Sequence, residues 1–212
     1  MPLITSASLY EQLFPLTTVM KQRVVENFSA DALDTNRWTT VNNNGSNTFA
    51  MSDESDGGFK ITTGATSGNH GAITFNQKRQ YSPTAAVCIG IMKFDNSTNT
   101  AQLGLANVAD NILTGTDQST CRFSGISNAI NLTTGDASTY SATNSSVTSD
   151  TSYHSIKIEN GSSDIKLTLD GSLQVTKTTN RPTAKQQPFF AVRTGENVAN
   201  DANIRYIEAY NV

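Results

Sequence analysis

The sequence has 212 residues, enough for one large β domain or two small ones, of which 36% are hydrophobic and only 16% charged. Thr, Ser and Asn together account for 72 residues, about a third of the chain. Thr suits a pleated surface, whereas Ser and Asn favour turns because their side chains compete for backbone hydrogen bonds. The composition therefore favours a β-rich domain over a coiled coil or a disordered acidic tail.

The distribution of charge and apolar residues argues against several partners. The formal net charge is −3 and Lys and Arg are scattered singly, so we expect no nucleic acid and no membrane surface as a partner. No stretch approaches the roughly 20 consecutive apolar residues that a membrane helix needs. The opening Met1–Ile4 has no basic residue before its apolar part, so we predict synthesis in a cytoplasm without a Sec signal.

Residues 1–24 differ from the rest because they are rich in apolar side chains and poor in turn residues. Helical spacing recurs there, although Pro15 limits any helix to a short piece. We predict an N-terminal arm that either packs on its own domain or docks on another subunit. The docking interpretation uses the side chains of Leu3, Ile4, Leu9, Tyr10, Leu13 and Phe14.

From residue 25 onward, short alternating segments are separated by turns rich in Gly, Asn, Asp and Ser, which is typical of an all-β fold. The predicted strands are Val24–Phe28, Thr39–Val41, Phe59–Thr62, Gly71–Phe75, Ala85–Phe94, Gln102–Val108, Cys121–Ser127, Ala129–Thr133, Ser152–Glu159, Asp164–Leu169, Leu173–Thr178, Phe189–Arg193 and Ile204–Tyr210. The segment Thr134–Asp150 has low complexity and predicts an exposed loop or a weak edge hairpin. No repeat or linker divides residues 25–212, so we expect a single β-sandwich.

Four side chains have a structural and a functional interpretation. Cys88 and Cys121 lie within predicted strands and are too few for a disulfide framework or a zinc site, so we interpret both as buried, with one disulfide as the alternative. Trp38 is interpreted as a core residue, with a sugar-stacking platform as the alternative. His154 is interpreted as a structural residue near a sheet edge, with a catalytic or metal role as the alternative.

Three segments, in this order along the chain, carry a family resemblance. Glu26–Trp38, with the pattern F…LD…W, resembles the opening of concanavalin A-like lectin and glucanase domains. Tyr153–Gly171 resembles the central hairpin of their laminin-G-like relatives, and Ile204–Val212 resembles the closing strand. The resemblance implies an antiparallel jelly-roll β-sandwich, a fold that hosts lectins, hydrolases, lyases, adhesion modules and virion surface proteins.

The catalytic patterns of such enzymes are missing from the sequence. The resemblance implies, for a glucanase, a Glu-x-Asp-x-Glu strand that places two carboxyls about 5 to 5.5 Å apart. The nearest match, Glu54–Gly58, ends in glycine and lies in a predicted turn, and neither Glu159 nor Glu208 has an acidic neighbour at i+2 or i+4. A lyase would need a His and Tyr pair with Arg or Gln, but His70 lies in a predicted turn. We therefore predict no catalytic residue and no enzymatic activity.

We also predict no cofactor and no metal site, with structural calcium as a minor alternative. Acidic, Asn-rich turns supply the oxygen ligands that calcium prefers, although such turns also form for reasons of backbone geometry alone. The two candidate turns contain Asp53, Glu54 and Asp56, and Asp95, Asn96 and Asn99.

Two functions follow from these observations. The apolar arm, the missing catalytic acids and the charge-poor polar surface favour a non-enzymatic structural protein of a virus or phage particle: a capsid decoration, spike or tail-associated subunit, located in the virion and bound to other virion proteins or to copies of itself. The alternative is a carbohydrate-binding module or lectin of a microbial protein. Glycan attachment is compatible with both, and the candidate contacts are the aromatic side chains of Tyr81, Phe94 and Tyr140.

Overall fold

The computed structural model describes residues 22–43, 46–53, 55, 57–76, 78–94, 100–107, 119–126, 129–194 and 197–212. The described ranges contain strands and no helix. Accordingly, none of the described residues belongs to a helix long and apolar enough to cross a membrane. The strands are β1 Arg23–Glu26, β2 Thr39–Asn43, β3 Thr48–Met51, β4 Phe59–Thr62, β5 His70–Thr74, β6 Ala86–Phe94, β7 Thr100–Ala106, β8 Ser119–Ile126, β9 Ala129–Asp136, β10 Tyr140–Thr148, β11 His154–Asn160, β12 Ile165–Leu169, β13 Ser172–Lys177, β14 Gln187–Arg193 and β15 Asp201–Asn211.

Two antiparallel sheets form a sandwich, which confirms the predicted all-β jelly roll. Sheet A has the order β13-β12-β11-β6-β15-β4-β3, and β1 also pairs with β15. Sheet B has the order β10-β9-β8-β7-β14-β5-β2. Because β6 pairs along most of β15 on one side, β1 and β4 occupy successive stretches of its other side.

Apolar side chains that alternate along the strands fill the space between the sheets. Trp38 is 1% exposed, its ring centroid lies 5.9 Å from that of Phe28 and 5.6 Å from that of Phe75, and its Nε1 donates to Glu26 Oε2 at 3.1 Å. The core interpretation of Trp38 is therefore confirmed, since a buried ring cannot serve as a platform for a sugar.

Cys88 and Cys121 are both buried in this core as free thiols. Cys88 belongs to sheet A and Cys121 to sheet B. Burial raises the pKa of both thiols, that of Cys121 to about 12. The two side chains therefore behave as small apolar residues, as the sequence predicts.

Two strands differ from the prediction. β3 was not expected, and Thr134–Asp150 contains the end of β9, a turn and β10, so of the two predicted alternatives the edge hairpin is correct. The turn is held by Asp136, whose Oδ1 accepts hydrogen bonds from Ser138 N at 2.9 Å and Thr139 N at 2.8 Å.

The predicted arm lies almost entirely outside the described residues. This applies to all six of its candidate docking side chains, Leu3, Ile4, Leu9, Tyr10, Leu13 and Phe14. β1 begins at Arg23, within the last two residues of the predicted arm, and pairs with the end of β15. Residues 23 and 24 therefore belong to sheet A.

Candidate functional site

Sheet B has two distinct faces because successive side chains of a strand point to opposite sides. Leu103 and Phe190 belong to the core between the sheets, whereas Ala106 and Phe189 belong to a separate small cluster. We call the second, outward side of sheet B the B face. Its side chains include Thr39, Val41 and Asn43 of β2, His70, Ala72 and Thr74 of β5, Gln187, Phe189, Ala191 and Arg193 of β14, Thr100, Gln102 and Ala106 of β7, Thr120, Arg122 and Ser124 of β8, Asn131 and Thr133 of β9, and Tyr140, Ala142 and Asn144 of β10.

The strand register brings together B-face residues that are distant in the sequence. Gln102 lies opposite Ala191 on one side and Ser124 on the other. Arg122 lies opposite Gly104 of β7, where an added Cβ would approach Arg122 Cα to 2.6 Å. Glycine at this position therefore permits β7 and β8 to pair closely beneath the Arg122 side chain.

Several buried polar atoms of the B face have no hydrogen-bond partner. They are Thr74 Oγ1, Gln102 Oε1, both amide atoms of Gln187 and Arg193 Nε. Gln187 is 0% exposed and Gln102 is 3% exposed. A buried polar group without a partner costs about 1–3 kcal/mol, and native proteins contain only a few in every hundred residues. Because these atoms are buried, ordered water is the partner that would satisfy them.

The described part of the B face carries positive but no negative charge. Desolvation lowers the pKa of Arg122 to about 10 despite the opposing influence of the nearby Tyr140, so the guanidinium stays protonated at neutral pH. Asp136 is the single acidic residue in the described strands of sheet B, and it caps the β9–β10 turn. Hydrogen bonds from Thr139 and Ser138 lower its pKa to about 2.

The structure separates the three aromatic residues predicted to contact glycan. Tyr140 lies on the edge strand β10 with 48% of its surface exposed. Tyr81 is 0% exposed and Phe94 is 1% exposed, so the prediction that they contact glycan is wrong. Both are near loops, but their side chains point into the core, where the Phe94 ring packs 6.0 Å from that of Phe123. Tyr140 as a glycan contact stays a prediction.

The glutamates considered for hydrolysis lie on sheet A and are already paired. Glu159 Oε1 is 2.9 Å from Lys157 Nζ, and Glu208 Oε1 is 2.8 Å from Arg23 Nη2. Burial raises the pKa of Tyr206, and its hydrogen bond to Glu208 adds to the effect, bringing it to about 12. Glu54 and Asp56 of the predicted turn lie outside the described residues.

The histidine and tyrosine that a lyase would need are far apart on the B face. His70 begins β5, so its predicted position in a turn is wrong. Its ring is 3.1 Å from Asn43 Nδ2 through Nε2 and 3.2 Å from Gly68 O through Nδ1. β5 and Tyr140 on β10 are five strands apart, which corresponds to about 24 Å at the usual strand spacing. These two residues therefore cannot act on one bond.

His154 forms a clamp between two carboxylates at the end of sheet A. Its Nδ1 is 2.7 Å from Asp170 Oδ2 and its Nε2 is 2.9 Å from Asp150 Oδ1. Burial lowers the pKa of His154, but the hydrogen bonds to the two aspartates outweigh it and the pKa is raised. The clamp ties the β12–β13 turn to the segment before β11, which agrees with the structural interpretation.

The described residues contain no group of three His, Cys, Asp or Glu side chains that could hold a metal ion. Of the six residues in the predicted calcium turns, only Asp53 is described. The other five, Glu54, Asp56, Asp95, Asn96 and Asn99, lie outside the described ranges.

The sheet order and the solved structures that superpose on this chain define a concanavalin A-like jelly-roll sandwich. A protein of unknown function from Shewanella oneidensis MR-1 has a TM-score of 0.65 at 15% identity, covering 100% of this chain and 95% of that one. The β-glucanase of Bacillus licheniformis has a TM-score of 0.60 at 14% identity, covering 90% and 98%. The carbohydrate recognition domain of Emp47p has a TM-score of 0.60 at 9% identity, covering 89% and 94%.

No family model and no curated protein matches the sequence. The structural neighbours include both enzymes and carbohydrate-binding domains. Identities of this size show the fold alone, since one fold hosts many functions. The function has to be argued from the residues of this chain.

Proposed function

We propose that this protein is a non-enzymatic, lectin-like domain that binds glycan at the exposed edge strand β10. The observation that supports the proposal most is Tyr140, which is 48% exposed, unlike Tyr81 and Phe94. Asn144 is exposed on the same side of β10. An exposed ring with amide and hydroxyl groups nearby has the character of a sugar site, since such groups pair with sugar hydroxyls.

The absence of catalysis is part of the same proposal. Retaining or inverting glycoside hydrolysis uses two carboxyl groups that flank the bond. The outward positions of the described strands of sheet B contain no Asp or Glu. The only histidine among these positions, His70, already has partners on both ring nitrogens. These observations favour binding over bond cleavage.

A second candidate is the virion role predicted from the sequence. The charge-poor composition, with 72 Thr, Ser and Asn residues, is the observation that favours it. In this proposal the domain is a surface subunit of a virus or phage particle, bound to other virion proteins or to its own copies. The edge strand β10 would then attach the particle to a host glycan, so both candidates use the same site.

The test is a glycan array followed by titration calorimetry with the best binder. The Tyr140→Ser variant removes the exposed ring, and Tyr210→Ser in β15 makes the same change on sheet A. We expect at least a tenfold loss of affinity in the first variant and wild-type affinity in the second. A wild-type protein that binds no glycan, or equal affinity of both variants, would overturn the proposal.

A further inference from the structure

The two sheets end side by side at β2 and β3, which are the last strands of sheet B and sheet A among the described residues. Where these strands are connected, Asn47 Nδ2 donates to Asn42 Oδ1 at 2.7 Å and to Asn43 O at 3.3 Å. Toward the other end, Thr40 lies opposite the core residue Ile73 and so points toward sheet A, yet it is exposed. The sandwich is therefore closed at one end of this edge and open at the other.

A groove of about 400 Å³ lies at the open end, and we call it the edge groove. Leu33, Phe49 and Met51 contact the core but are only partly buried, so the groove presents apolar surface to solvent. Its volume is that of a small ligand pocket and takes a few apolar side chains. The residues that line it include Ala32, Leu33, Phe49, Met51 and Phe59 and, on β2, Thr40.

The described structure begins within reach of the edge groove. Arg23 of β1 lies opposite Tyr210 of β15, and Phe59 of β4 lies opposite Ile204 on the same side of β15. The two positions are six strand residues apart, which corresponds to about 20 Å. About eight extended residues span this distance, and 21 residues precede Gln22. Residues 1–13 are therefore long enough a remainder to occupy the groove.

We propose that residues 1–13 dock in the edge groove of their own chain, with Leu9, Tyr10 and Leu13 as the side chains that enter it. These are three large apolar residues within five positions, and their burial against the groove removes apolar area of both partners from water. Attachment through a short linker gives an effective concentration on the order of 1 mM, which favours the same chain over a second copy at micromolar protein. The inference is independent of the proposed glycan site, because β2 and β10 are opposite edges of sheet B.

Disulfide trapping in the full chain tests the contact and shows which chain supplies it. The test variant combines Gln12→Cys with Thr40→Cys, and the control combines Gln12→Cys with Thr176→Cys, an exposed position on β13. The native Cys88 and Cys121 are buried and should not compete. We expect a cross-link within one chain, at least tenfold more abundant in the test variant and independent of protein concentration. Equal yields in both variants would overturn the inference, and so would cross-linked dimers, which would place a second copy in the groove.

Proteolysis without added cysteines gives an independent measurement. Chymotrypsin cleaves after large apolar residues such as Tyr10, and docked residues are cleaved only when they leave the groove. Thr40→Arg places a charge in the apolar groove at an exposed position, and Thr176→Arg makes the same change on β13. We expect cleavage within residues 1–13 to be at least tenfold faster in Thr40→Arg than in the wild type, and unchanged in Thr176→Arg. Equal rates in all three proteins, or equal acceleration in both variants, would overturn the inference.

Discussion

Gln186 and Gln187 are neighbours in the sequence, both are 0% exposed, and they differ in their hydrogen bonding. Gln186 Nε2 donates to Leu105 O and to Ser119 O, each at 3.1 Å, and Gln186 Oε1 accepts from Asn160 Nδ2 at 3.3 Å. Both amide atoms of Gln187 have no partner. Replacing each with Met, which has a similar shape, separates the stability effects of a paired and an unpaired buried amide.

The two variants are expected to change the melting temperature differently. Gln186→Met removes these three bonds and the weak donation from Cys121 Sγ at 3.9 Å. At about 1 kcal/mol for each of the three stronger bonds, the cost is about 3 kcal/mol. For a chain of this length that corresponds to a fall of the melting temperature by about 6–12 °C. Gln187→Met removes no bond and relieves the desolvation of an unpaired amide, so we expect an unchanged or higher melting temperature.

Thermal and urea unfolding of the two variants and the wild type, monitored by circular dichroism, measure the difference. Gln187 is the first residue of β14 and Gln186 immediately precedes it, so the general effects of introducing Met are matched. A fall in the melting temperature of Gln187→Met as large as that of Gln186→Met would refute the reasoning. It would mean that the Gln187 amide is paired in solution.

Three further predictions concern stability and reactivity. The pKa of His154 is raised, so its contribution to stability is fully present below the ordinary histidine pKa of 6.5 and is lost as pH rises through the raised pKa. The pKa of Asp170 is lowered, so its contribution is present above 3.8 and is lost as pH falls through the lowered pKa. The stability difference between wild type and His154→Gln, measured by urea unfolding, should therefore be largest between these two values and shrink toward pH 9; a difference that does not vary with pH would contradict this. Gly104→Ala places a Cβ 2.4 Å from Cys121 O, so we expect a loss of about 1–3 kcal/mol in unfolding free energy, and a stability equal to wild type would show that the strands separate freely. Cys88 and Cys121 should resist a thiol reagent at pH 8 in the native protein and both react in denaturant, and rapid labelling of the native protein would contradict their burial.

The strands that the sequence predicted are those whose side chains alternate between core and surface. In β11, Ile156 and Ile158 are buried while Lys157 is not, so the period of two is visible in the sequence. β10 is exposed along most of its length and carries no such signal. It is held by backbone pairing with β9 and by bonds such as Ser145 Oγ to Ile130 O at 2.8 Å, which depend on a partner strand that the pattern does not identify.

The B face was less predictable because it is assembled by register between strands. Arg122 and Arg193 are 71 positions apart in the sequence, and only the pairing of β14 with β7 and of β7 with β8 places them on one face. Tyr81 and Phe94 were chosen for their closeness to loops, which does not determine the side of the sheet to which a ring points. Tyr140 differs from them because an edge strand exposes its side chains.

The two outer sides of the sandwich differ in how they present polar groups. On the outside of sheet A, charged side chains pair with one another, as in Lys157 with Glu159 at 2.9 Å and Arg23 with Glu208 at 2.8 Å. At the centre of the B face, Gln102 and Arg122 are each 3% exposed, so their side chains do not form an open surface. The edge strand β10 is the part of sheet B whose side chains are exposed along most of its length. We therefore expect a glycan to contact sheet B at Tyr140 on this edge, and not at the centre of the sheet.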